Sequence, residues 1–128
     1  LINAIFGREI AKTGDAPQTS QIAGYRYNNY TIFDTPGINA PIQHETLSKN
    51  HLNKVEIILF VISNDGGFEQ KYIYDEIKKL SKLNKQIIVV LNNKSGVEME
   101  GFEAIEEINR VISHLNNKDI SLMMVDAL

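Results

Sequence analysis

The spacing of hydrophobic positions changes several times along the chain, and each change predicts a different element. Leu1-Ile2-Asn3-Ala4-Ile5-Phe6 followed by Gly7 forms an amphipathic turn and a half, the pattern of a short helix stopped by glycine. Gln21 to Tyr27 and Tyr30 to Phe33 are β-rich runs flanking Asn28-Asn29. Asparagine accepts positive φ, so the two runs predict a tight antiparallel hairpin. Val55 to Ile62 is almost continuously apolar, as expected for a parallel strand covered on both faces, and Gln86 to Leu91 repeats the pattern. Between them, Tyr72, Ile73, Ile77, Leu80 and Leu83 recur at helical spacing and predict a helix over Phe68 to Leu83. A further helix is expected from Gly101 to Leu115, burying Phe102, Ile105, Ile108, Val111, Ile112 and Leu115. A weaker one is expected over Glu45 to Asn53, anchored by Leu47 and Leu52, and Ser121 to Val125 reads as the last strand.

Strand, helix, strand, helix, strand with short connections implies right-handed crossovers and an α/β fold. Its sheet should be mostly parallel, with one antiparallel strand at an edge. The opening helix has no capping residue before it, and the closing strand runs straight into the terminus. The expectation is therefore a single domain, residues 1–128, incomplete at both termini.

Composition narrows this picture only modestly. With 128 residues, 43% hydrophobic and 23% charged, the chain has the makeup of one domain with a real core. The net charge of -3 and the scattered Lys and Arg argue against direct DNA binding. Without cysteine there is no disulfide or thiolate chemistry. His44, His51 and His114 share no metal-ligand spacing. The longest apolar run is far too short to span a bilayer, and no signal-like segment opens the chain, so a cytoplasmic location is expected.

The stretch richest in chemistry is Tyr30-Thr31-Ile32-Phe33-Asp34-Thr35-Pro36-Gly37. Pro36 cannot continue a ladder, so Asp34 should stand at the carboxyl end of a strand. In open α/β sheets ligands bind in the crevice beyond those ends. A carboxylate there suits hydrated Mg²⁺, and a nearby glycine lets a backbone N–H approach a phosphate oxygen. An Asx turn closing an ordinary strand would give the same run.

Asp34-Thr35-Pro36-Gly37, the loop Asp15 to Gln21 and Asn93-Lys94-Ser95-Gly96 together give the chain its resemblance to the G domain of translation-factor-type P-loop GTPases, in the Era-like and bacterial dynamin-related branches. The resemblance implies a three-layer P-loop NTPase-like fold, GTP/GDP and Mg²⁺ as ligands, and slow GTP hydrolysis. It also implies roles for individual residues. Asp34 would contact Mg²⁺ through water, Thr19 of the Pro-Gln-Thr run would join the Mg²⁺ shell, and the Gly37 N–H would meet the γ-phosphate. Asn93 would read guanine N7, Lys94 would cover the ring, and the backbone at Ala127 would touch the base. Loop 12–21 and loop 36–48 would act as switches. Partners implied are guanine nucleotide and a protein, ribosome or membrane, with a homodimer through the switch face also open.

The chain departs from the family pattern at several points. It contains no Gly-x-x-x-x-Gly-Lys-Ser/Thr loop, so these residues alone are expected to bind nucleotide poorly. Ile38 stands where some GTPases carry a water-orienting Gln, leaving Gln43 and His44 as the nearest polar candidates; the catalytic group is unassigned. Gly96 replaces the Asp that accepts from guanine N1 and N2, and Asp126 replaces a Ser beside Ala127. Two other readings follow: a degenerate, non-hydrolysing G domain used for assembly, and a doubly wound domain of flavodoxin-like type. The second leaves the pairing of Asp34–Gly37 with Asn93-Lys94 unexplained.

Overall fold

A computed structural model describes residues 1–10, 22–35, 50–64, 71–94, 98–115 and 118–125. They fall into two compact units, Leu1–Val55 and Glu56–Leu128.

In the first unit, α1 (Ile2–Phe6) ends at Gly7, whose φ of 64° is the left-handed conformation that glycine adopts without strain. Strands β1 (Ala23–Tyr27) and β2 (Tyr30–Asp34) pair antiparallel in the register Ala23↔Asp34 to Tyr27↔Tyr30. This is the expected hairpin, and Asn28 takes the positive φ, 53°. The ring of Phe6 meets Tyr25 and Tyr27 edge-on at 6.2 and 5.3 Å, so α1 packs on the hairpin through aromatic contacts. Of the helix expected over Glu45 to Asn53, residues 50–52 are helical, Asn53 is a turn, and residues 45–49 lie outside the described residues.

The second unit holds the parallel strands β3 (Ile57–Ser63), β4 (Gln86–Asn92) and β5 (Ile120–Val125) in the order β3-β4-β5. Helix α2 (Lys71–Leu80) continues into a 3₁₀ turn at Ser81–Leu83, and α3 (Glu98–Ser113) links β4 to β5. The parallel and antiparallel strands of the expected sheet therefore form a three-stranded and a two-stranded sheet among the described residues.

Expectations about the burial of β3 and of Phe102, and about where the second long helix begins, need correction. In β3, Ile58 and Ile62 are buried, but Ile57, Leu59 and Val61 on the opposite face are 43–47% exposed. Among the described residues β3 is therefore covered on one face only, whereas on the other face of the same sheet β4 still buries Val90, the partner of Val61. In α2 the stripe facing inward is Ile73, Ile77 and Leu80, with Tyr72 exposed. Helix α3 begins at Glu98, about a turn before Gly101, and it buries Ala104, Ile108 and Ile112 while Phe102 is 49% exposed. Glycine is a poor helix-interior residue, which makes a start at Gly101 attractive from sequence. Packing overrides that preference, because a Cβ built on Gly101 would lie 2.6 Å from Met124 Sδ on β5. At this point the helix lies so close to the sheet that a Cβ would also stand 3.1 Å from Asn93 Nδ2.

Candidate functional site

The carboxyl ends of the second sheet form a rim of asparagines. Registers Ser63↔Asn92 and Asn92↔Val125 bring the ends of β3, β4 and β5 level, so the residues just after them lie side by side. Asn92 and Asn93 are the buried polar residues among those described, at 7% and 2% exposure. A buried carboxamide is costly unless bonded, and this one sits in a network. The Asn93 N–H donates to the Val125 carbonyl at 2.8 Å, tying the loop after β4 to β5. On the other side, the Asn64 N–H donates to the Asn92 carbonyl at 3.4 Å, and the Asn64 Nδ2 donates to Asn93 Oδ1. The Lys94 N–H is shared between Asn64 Oδ1 at 2.9 Å and the Asn92 carbonyl at 3.1 Å. The Lys94 side chain is exposed. The loop thus sets a buried asparagine beside an exposed lysine at the carboxyl end of a parallel sheet, where ligands bind in open α/β sheets.

Asp34 ends β2 in the other unit, paired in register with Ala23 and half-buried. The strand that carries it is fixed by Phe33, whose ring meets the His51 ring edge-on at a centroid distance of 4.4 Å. The Asp34 carboxylate is a hard oxygen donor of the kind Mg²⁺ takes singly or in pairs, the remaining positions going to phosphate and water. Among the described residues no group of three or more His, Cys, Asp or Glu could hold a metal.

Of the residues singled out from sequence, the structure brings Asn93 and Lys94 together at one strand end and sets Asp34 at another. Thr19, Gly37 and Ala127 lie outside the described residues, as do Ile38, Gln43, His44, Gly96 and Asp126. Asn64 and Gly101 escaped the sequence reading. Asn64 looks like an ordinary turn residue after a strand, and only the register with β4 reveals that it reaches a residue thirty positions on. No helix among the described residues is long and apolar enough to cross a membrane.

Comparison with known proteins identifies the family and the fold. A model of the 50S ribosome-binding GTPase family matches residues 1–93. The GTPase Era of Thermosipho melanesiensis is 27% identical over 99% of this chain and 44% of its own length. That of Alkaliphilus oremlandii is 34% identical over 72% of this chain and 34% of its own length. The chain thus spans less than half the length of the curated relatives it matches. Among solved structures, Aquifex aeolicus Era bound to GDP·AlF4⁻ has a TM-score of 0.71 at 26% identity, covering 96% of this chain and 45% of that one. An Era complex with MgGDPNP and nucleotides 1506–1542 of 16S ribosomal RNA has the same TM-score and coverage at 24% identity, a likeness of fold.

Proposed function

Since this chain belongs to the 50S ribosome-binding GTPase family, we propose that its 128 residues are part of a single G domain that binds GTP as a switch and hydrolyses it with Mg²⁺. The observation that carries this reading is the buried Asn93 beside exposed Lys94, held at the carboxyl end of β4 by bonds to both neighbouring strands. In the proposed complex Asn93 donates to the purine N7, an acceptor, and the Lys94 stem lies over the ring. Asp34 and Thr19 hold Mg²⁺, which when bound neutralises charge on the phosphate tail. The Gly37 N–H meets the γ-phosphate, and the Ala127 backbone borders the base. Loss of the γ-phosphate releases the loops carrying Thr19 and Gly37, which is the switch. The partner reading best supported is a ribosomal one, because a structural neighbour is an Era complex with 16S ribosomal RNA.

Ile38 cannot orient an attacking water and Gly96 cannot accept from guanine N1 and N2, so a second reading stands beside the first: a G domain that binds without turnover and serves assembly. Calorimetry and phosphate release on the full-length protein separate the two. GTP and Mg²⁺ should bind with micromolar affinity or better, and phosphate should then be released at a slow, Mg²⁺-dependent rate. Binding without release selects the assembly reading. Absence of any guanine nucleotide binding overturns both.

A further inference from the structure

Glycine weakens a helix interior, yet Gly101 stands about a turn into α3 and is buried there. A Cβ at this position would lie 2.6 Å from Met124 Sδ, 3.1 Å from Asn93 Nδ2 and 3.3 Å from Asn93 Cγ. The two neighbours differ in how far they can give way. The methionine sulfur belongs to an unbranched, adaptable side chain and can swing aside. Asn93 is held, because its N–H donates to the Val125 carbonyl at 2.8 Å and its Oδ1 accepts from Asn64 Nδ2. Asn64 Oδ1 in turn accepts from the Lys94 N–H at 2.9 Å. A push on the Asn93 carboxamide from α3 is therefore passed through Asn64 to the backbone of Lys94.

We propose that Gly101 is a positioning residue for base recognition: bare of a side chain, it seats α3 against the Asn93 carboxamide and so fixes where the Asn93-Lys94 turn meets a nucleotide base. This inference rests on the nucleotide reading above and adds to it a residue that acts only through Asn93. With alanine at position 101 the methionine moves first. The contact with Asn93 that remains is still closer than ordinary van der Waals packing, so the turn shifts by a few tenths of an ångström. Binding constellations need their groups held to within about 0.5 Å, so a shift of this size weakens the contact with the base without abolishing it.

The experiment is a cycle on the full-length protein: wild type, Gly101→Ala, Met124→Ala and the double variant. Each is measured for GDP affinity by calorimetry, for its urea midpoint, and for hydrogen exchange at the Lys94 amide without nucleotide. Gly101→Ala should bind GDP roughly three- to tenfold more weakly, the scale of one weakened hydrogen bond. Lys94 exchange should quicken by a similar factor while the central β4 amides keep their rates. Met124→Ala removes the sulfur, so in that background Gly101→Ala should lower the urea midpoint less than it does in wild type. It should nevertheless weaken GDP binding by the same factor, which separates positioning from stability. GDP affinity or Lys94 exchange unaltered by Gly101→Ala, or an affinity loss that vanishes in the Met124→Ala background, overturns the proposal. If Gly101→Ala alone does not fold, the comparison of Met124→Ala with the double variant decides by the same criteria. If wild type binds no GDP, the guanine reading itself has failed. The exchange arm then decides alone: faster Lys94 exchange in Gly101→Ala upholds Gly101 as the residue that seats the turn, and unchanged exchange removes it.

Discussion

Gly101 of α3 and Met124 of β5 approach so closely that a methyl group on the glycine would stand 2.6 Å from the methionine sulfur and 3.1 Å from Asn93 Nδ2. Glycine to alanine inside a helix normally gains up to about 1 kcal/mol from propensity. At this position the sign should reverse. The methionine can swing aside, but the asparagine amide is held by Asn64 and by the Asn93 N–H bond to Val125. Overpacking of this kind costs on the order of 1–3 kcal/mol, enough to outweigh the propensity gain. Gly101→Ala should therefore lower the urea midpoint, and Gly101→Val should lower it further. An unchanged or raised midpoint for the alanine variant would mean that the helix yields instead of the rim.

The two faces of α2 supply a second expectation. Ile77 is fully buried, whereas Tyr72 on the same helix is 36% exposed. Truncating a buried isoleucine removes its burial and leaves a cavity, together about 2–5 kcal/mol. Tyr72→Ala should cost less than about 1 kcal/mol, as substitutions away from the core usually do. Equilibrium unfolding of both variants checks the ordering. Equal costs would show that the tyrosine belongs to the core as its helical spacing suggests.

That contrast also marks what could be read from the chain. The alternation of β1 and β2 around Asn28-Asn29, and the apolar runs of β3 and β4, are local signals, and those strands lie within one or two residues of where the pattern puts them. Asn93 and Lys94 were legible because they follow a strand directly. Burial of individual side chains was not. Tyr72 and Phe102 are apolar at helical spacing, yet each stands at the margin of a stripe whose centre is set by the partner sheet. The exposed face of β3 depends on what packs against the sheet, which the strand's own run of residues does not encode. Asn64 and Gly101 act through contacts with residues distant in sequence, and no periodicity encodes such a contact.

Charge along α3 gives an expectation about pH. The Glu107 carboxylate accepts from Arg110 at 2.6 and 3.0 Å, and this bidentate bond holds its pKa below the ordinary glutamate value. A carboxyl with a lowered folded pKa contributes stability that is present above its unfolded pKa and lost as pH falls through the folded one. The contribution should therefore fade only in the acid range below the ordinary glutamate pKa, and because the pair lies at the solvent surface it should be small and sensitive to salt. Carbon-detected titration of Glu107 should show the lowered value, and Arg110→Ala should return it upward. No change on removing the arginine would mean that the ion pair does not persist in solution.

Asp34 carries the last expectation, which concerns charge separately from shape. Asp34→Asn keeps the size of the side chain and an oxygen acceptor at the end of β2, so the hairpin register Ala23↔Asp34 should survive and the unfolding midpoint should stay close to wild type. What the amide lacks is the negative charge that strengthens an oxygen ligand's hold on a hard divalent cation. If Asp34 serves Mg²⁺ in the full-length protein, GTP affinity in Mg²⁺ should fall by roughly tenfold or more, the scale of one lost charge-assisted contact. In EDTA the two proteins should bind GTP about equally, because the variant removes only the metal-dependent part. Any Mg²⁺-dependent protection of residues 12–21 and 36–48 from hydrogen exchange should disappear with it. A variant that keeps the full Mg²⁺ enhancement would instead make Asp34 the turn-capping residue that its place before Thr35 and Pro36 also allows.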